Sequence, residues 1–73
     1  MNVIIIRYQE AEILLVSASA EGAVTFLSCG NYTFDDGSEI RLGALSDRLQ
    51  EGPIKLIGPD GEEVIAEVHP VEL

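Results

Sequence analysis

Two short segments constrain this chain more than any others: Phe34-Asp35-Asp36-Gly37-Ser38 and Gly58-Pro59-Asp60-Gly61. Each sets an Asp-Gly pair between runs in which apolar and polar residues alternate, a strong short-range signal for a β-hairpin. In the first, a type I turn closed by a left-handed Gly37 pairs Phe34 with Ser38, Thr33 with Glu39 and Tyr32 with Ile40. Tyr32, Phe34, Ile40 and Leu42 then share one face, and Thr33, Glu39 and Arg41 the other. In the second, Pro59 presets φ at the first central position and Gly61 accepts a positive φ. Leu56 then opposes Val64 and Ile54 opposes Ala66. Lys55 falls on the other face, with Glu63 and Glu67 in diagonal reach.

Three further segments read as strands. Val3–Tyr8 is β-branched and lacks helix-start chemistry. Ala11–Ala20 carries Ile13, Leu14, Leu15 and Val16 without polar interruption, the pattern of a strand buried on both faces. A helix over Glu10–Ala20 is the competing assignment. Ala23–Cys29 alternates Val24 and Phe26 with Thr25, again a strand pattern. The one expected helix is short, about residues 43–51. Leu45 and Leu49 are four apart, and Gly52-Pro53 is a stop signal.

The expected fold is therefore mainly β: a single compact domain over residues 1–73, with six to seven short strands and one short helix. It is a small twisted antiparallel sheet or an SH3-like or OB-like barrel, with α+β as the alternative. The core must be aliphatic, since the chain has no Trp, two Tyr and two Phe. A lone cysteine, Cys29, leaves no intramolecular disulfide framework and points to a cytoplasmic setting. The opening residues lack a basic n-region, and no apolar run approaches the ~20 residues of a membrane span.

Catalytic signatures are missing from the sequence. His69 is the only histidine and precedes Pro70. Cys29 reads as a small core residue. Neither a glycine-rich phosphate loop nor a CxxC or HExxH motif occurs, so no enzyme, cofactor or metal site is expected. The acidic clusters lack the Asp-x-Asp spacing of a calcium loop.

Charge is what remains. Four Lys+Arg against 13 Asp+Glu give a net charge of −9 and a pI near 4.1. Such a chain cannot neutralise a row of phosphates and is repelled by an anionic membrane surface. It is suited instead to a protein partner with a basic surface. The expected contact residues are Asp35, Asp36, Glu39, Asp60, Glu62, Glu63 and Glu67. In size, charge and lack of catalytic apparatus the chain resembles the small acidic proteins by which phages disarm host defences, some anti-CRISPR proteins among them. That resemblance implies a DNA mimic that inhibits a nucleic-acid-binding machine. A different expectation is a structural or assembly module, such as a virion component, that forms a homo-oligomer through an apolar strand edge.

Overall fold

The computed structural model describes residues 2–9 and 12–71. Its elements run β1 (Asn2–Tyr8), β2 (Ile13–Ser17), α1 (Ala20–Cys29), β3 (Thr33–Phe34), α2 (Leu42–Glu51), β4 (Ile54–Ile57) and β5 (Glu63–Pro70). The five strands form one antiparallel sheet in the order β2-β1-β5-β4-β3. Both helices pack on the same face of it and against each other. The architecture is α+β, with more strand than helix.

Both hairpins form as their turn chemistry dictates. Gly37 and Gly61 sit at φ +85° and +83°, the left-handed region that glycine occupies without steric cost. The Gly37 N–H donates to the Phe34 carbonyl, the Phe34 N–H donates to Ser38, and Thr33 bridges Glu39. Leu56 opposes Val64 and Ile54 opposes Ala66. Helix α2 also stands close to its expected bounds, with Leu45 and Leu49 buried.

Several expectations are corrected. The segment Ala23–Cys29 is helix, not strand. Ala20, Ala23, Val24 and Leu27 follow i, i+3, i+4, i+7, and this spacing lays one stripe on the sheet. The Ser19 hydroxyl caps the helix by accepting from the Gly22 N–H at 3.1 Å. At the other end Asn31 takes φ +59°, its N–H donates to Ser28, and the Tyr32 N–H donates to Leu27, a Schellman stop. A Cβ at Gly22 would lie 2.6 Å from Ser17 Oγ at the end of β2, so any larger residue there has to displace that hydroxyl. The alternation of Val24 and Phe26 misleads because Phe26 turns sideways to stack on Tyr32, with ring centroids 6.3 Å apart.

Among the described residues the strand count falls to five, and the sheet does not close on itself, since β2 and β3 are its two edges. Strand β2 is not buried on both faces. It is an edge strand in which Ile13 and Val16 are 56% and 55% exposed. Tyr32 does not pair with Ile40, and Leu42 is exposed at the start of α2 instead of facing the core. Cys29 is exposed at the end of α1. Glu10 and Ala11, which the expected second strand and its preceding turn include, lie outside the described residues.

The core is a single layer between sheet and helices: Ile4, Ile6, Val64, Ala66, Leu56 and Phe34 from the strands, Ala23, Leu27, Leu45 and Leu49 from the helices, and Ile40 between them. In a strand, residues 25 and 27 would share a face. In α1 they point nearly opposite ways. Leu27→Ala is therefore expected to destabilise the chain by about 2–5 kcal/mol in urea unfolding, and Thr25→Ala by no more than about 0.5 kcal/mol. Equal effects would contradict the helix.

Candidate acidic interface

The registers define the sheet face opposite the helices. It carries Val3, Ile5 and Arg7 of β1, Ile13 and Val16 of β2, Glu63, Ile65, Glu67 and His69 of β5, and Lys55 and Ile57 of β4. Directly opposed residues project to the same side, so three longer rows cross this face, beside the single pair Val3–His69. One runs Ile13–Arg7–Ile65–Lys55. A second runs Val16–Ile5–Glu67. The third runs Glu63–Ile57–Thr33–Glu39.

On these rows Glu39, Glu63 and Glu67, and in the Phe34 turn Asp36, meet this chain's own cations. Glu67 accepts from Arg7 Nε at 2.8 Å, and His69 Nε2 lies 2.9 Å from the same carboxylate oxygen. The hydrogen bond from Arg7, then the one from His69, holds the Glu67 carboxyl below its ordinary pKa. Glu67 therefore serves Arg7 and His69, not Lys55. Lys55 pairs with Glu63 at 3.6 Å, and Gln9 also donates to Glu63. Arg41 lies 3.1 Å from Glu39. Arg48 lies 3.3 Å from Asp36 and covers the Phe34 ring at 3.9 Å from its centroid. All four Lys and Arg side chains thus sit beside a carboxylate, and each of those carboxylates belongs to an expected contact residue.

Asp36 is held by its own turn as well. The Ser38 hydroxyl and the Ser38 N–H both donate to Oδ1. These bonds, with Arg48 behind them, lower the Asp36 pKa from 3.8 to about 2. This carboxylate is largely a structural part of the hairpin.

The two acidic turns do not form one surface. Strand β3 pairs antiparallel with β4, Thr33 against Ile57 and Phe34 against Leu56. Asp35 and Asp36 therefore leave towards the Ile54 end of β4, while Asp60 leaves beyond Ile57. Four or more residue rises, about 14 Å, separate them along the strands. That exceeds the screening length of about 8 Å at physiological salt, so the two turns act as separate fields.

The Asp60 end gains a member that the sequence alone did not single out. Glu12 precedes β2 in the turn after β1, and Tyr8 opposes Val64 at the start of β5. Tyr8, Gln9, Glu12, Glu62 and Glu63 consequently line one open recess of about 520 Å³. Glu62 folds back over Gly58, in the space a Cβ would otherwise fill. Burial, then the negative charge of Glu62, raises the Tyr32 pKa. Among the described residues no Lys or Arg pairs with Glu12, Asp60 or Glu62. The signal for Glu12 was its place in the turn that faces the β4–β5 hairpin, and that neighbourhood exists only once β1 pairs with β5.

Among the described residues no group of three or more His, Cys, Asp or Glu is placed to hold a metal ion. No described helix is long and apolar enough to cross a membrane. No family model, curated protein or solved structure matches the chain.

The Asp36 geometry has a pH consequence. A carboxylate whose pKa is lowered on folding adds stability above its unfolded value, and that stability is lost as pH falls through the folded value. The window here runs from about 3.8 down to about 2. The urea midpoint of the wild type is expected to fall more steeply across this window than that of Asp36→Asn. Parallel curves would remove Asp36 from the hairpin's support.

Proposed function

We propose that this chain is a small acidic, non-catalytic binding protein that engages a basic surface of a partner protein through the Asp60 end of its sheet. The observation that carries this reading is the convergence of Glu12 and Glu62 beside Glu63 around one recess, with Asp60 in the adjoining β4–β5 turn and, among the described residues, no Lys or Arg paired with Glu12, Asp60 or Glu62. Asp35 lies at the other end of the sheet, and Asp36, Glu39 and Glu67 already have cationic partners. They contribute to the net charge of −9 more than to a contact.

The chemistry suits an arginine- or lysine-lined groove. Carboxylates displayed on a tight turn and its flanking strand present fixed charge at low conformational cost, and charge complementarity of this kind governs association rate and partner choice. A groove of that composition ordinarily accepts phosphates. Occupying it would make the chain a DNA mimic, and inhibition of a nucleic-acid-binding machine would follow, as in phage anti-defence proteins of the anti-CRISPR type. A cytoplasmic location accords with that role.

The test is capture of partners on the immobilised chain at low and at high salt, followed by a DNA-binding competition with the retained protein. Retention is expected to fall steeply with salt. The triple variant Glu12→Gln, Asp60→Asn, Glu62→Gln is expected to lose tenfold or more in affinity, chiefly in association rate, with little effect from Asp35→Asn. Salt-independent capture, or equal loss from Asp35→Asn, would refute the assignment.

A further inference from the structure

We infer that β2 is a self-association edge, and that its occupant is a second copy of this chain, paired antiparallel about a two-fold axis to give one continuous ten-stranded sheet. This inference is independent of the role of the acidic end.

The sheet treats its two edges differently. On the β3 side the edge strand is two residues long and continues into a one-residue bridge at Glu39, itself paired with Arg41. Short strands and charged residues are the usual protection against edge-to-edge pairing. The β2 side has neither. Ile13-Leu14-Leu15-Val16-Ser17 is five residues long, contains no charge and no proline, and carries the two most exposed large hydrophobic side chains among the described residues, Ile13 and Val16. The register shift opposite Ile6/Arg7 leaves Leu15–Ser17 in regular pairing with β1, so their outer backbone groups stand ready for another strand.

Charge selects the occupant and its direction. In a chain of net charge −9, an uncharged edge offers nothing to a basic partner. It fits another uncharged, apolar edge, and β2 of a second copy is one. Glu12 adjoins the Ile13 end of β2, whereas Ala18-Ser19 follow the Ser17 end. Antiparallel pairing keeps the two acidic ends apart, and parallel pairing would bring them together. Stacking of the open faces is disfavoured in turn, because it would desolvate the Arg7–Glu67–His69 and Lys55–Glu63 groups. One added strand pair buries less than the roughly 800 Å² per partner of a standard interface, so the dimer is of modest affinity.

The experiment is sedimentation equilibrium of the whole chain across a range of concentrations, in salt high enough to screen the self-repulsion of two acidic chains. The wild type is expected to pass from monomer to dimer as concentration rises. Val16→Lys and Ile13→Lys are expected to remain monomeric under the same conditions, with unchanged urea midpoints because both side chains already face solvent. Leu42→Lys, at an exposed position away from the edge and with the same change in charge, is expected to dimerise like the wild type. Since lysine lowers the net negative charge, lost association cannot come from greater long-range repulsion between the two acidic chains and reports on the edge itself. A wild type that stays monomeric throughout, or a Val16→Lys variant that dimerises normally, would overturn the inference.

Discussion

The ladder between β1 and β5 is the contact on which everything else depends. It joins Asn2–Tyr8 to Val64–Pro70, nearly the whole length of the chain apart, and puts these strands at the centre of the sheet. Without it the sheet is two separate pieces, a β1–β2 hairpin and β3 with the β4–β5 hairpin, joined chiefly through the contact between the helices. With it, Ile4 and Ile6 meet Val64 and Ala66 under the helices, and on the opposite face Arg7 reaches Glu67. Closing so long a loop costs little more than closing a moderate one, because the entropy grows only with the logarithm of length. The apolar layer buried on one side of the ladder outweighs that cost.

The same ladder explains why so large an acidic excess is compatible with so small a body. The four cations are placed where the pairing draws carboxylates together, on the open face and at the Phe34 turn. Among the described residues the remaining negative charge lies at the ends of the sheet and at exposed positions on the helices, Glu21, Asp47 and Glu51, where water solvates it. Glu12 and Glu62 are left as unneutralised charge around one recess, with Asp60 in the turn beside it. The open face between them is half apolar, yet its polar groups are already satisfied in pairs, and this sets it apart from the uncharged edge at β2.

Much of the fold was legible in the residues because it rests on local chemistry. Gly37 and Gly61 define their turns through φ, and Leu45 and Leu49 with Gly52-Pro53 define α2. Helix α1 was misread for a physical reason: Val24, Thr25 and Phe26 fit period two over three residues, while the i, i+3, i+4, i+7 stripe needs Ala20 and Leu27 to become visible. Small alanines give that stripe little weight in a hydropathy pattern, and the Ser19 cap carries no reciprocal Glu or Gln at Gly22. The contact set was legible as a list of acids but not as a surface. Asp36, Glu39, Glu63 and Glu67 gain their cations through tertiary pairing, and Glu12 comes into the recess the same way.

The sequence by itself determined the two turns, the second helix, the aliphatic core and the sign of the surface, since each depends on a residue's own stereochemistry or charge. Tertiary structure alone decided that the two acidic turns point to opposite ends, that one acidic end stays unneutralised, and that Ile13–Ser17 lies at an edge instead of in the middle. Strand order and direction place those features, and no local pattern encodes them. The acidic turns look equivalent along the chain, and they diverge in space because β3 runs antiparallel to β4.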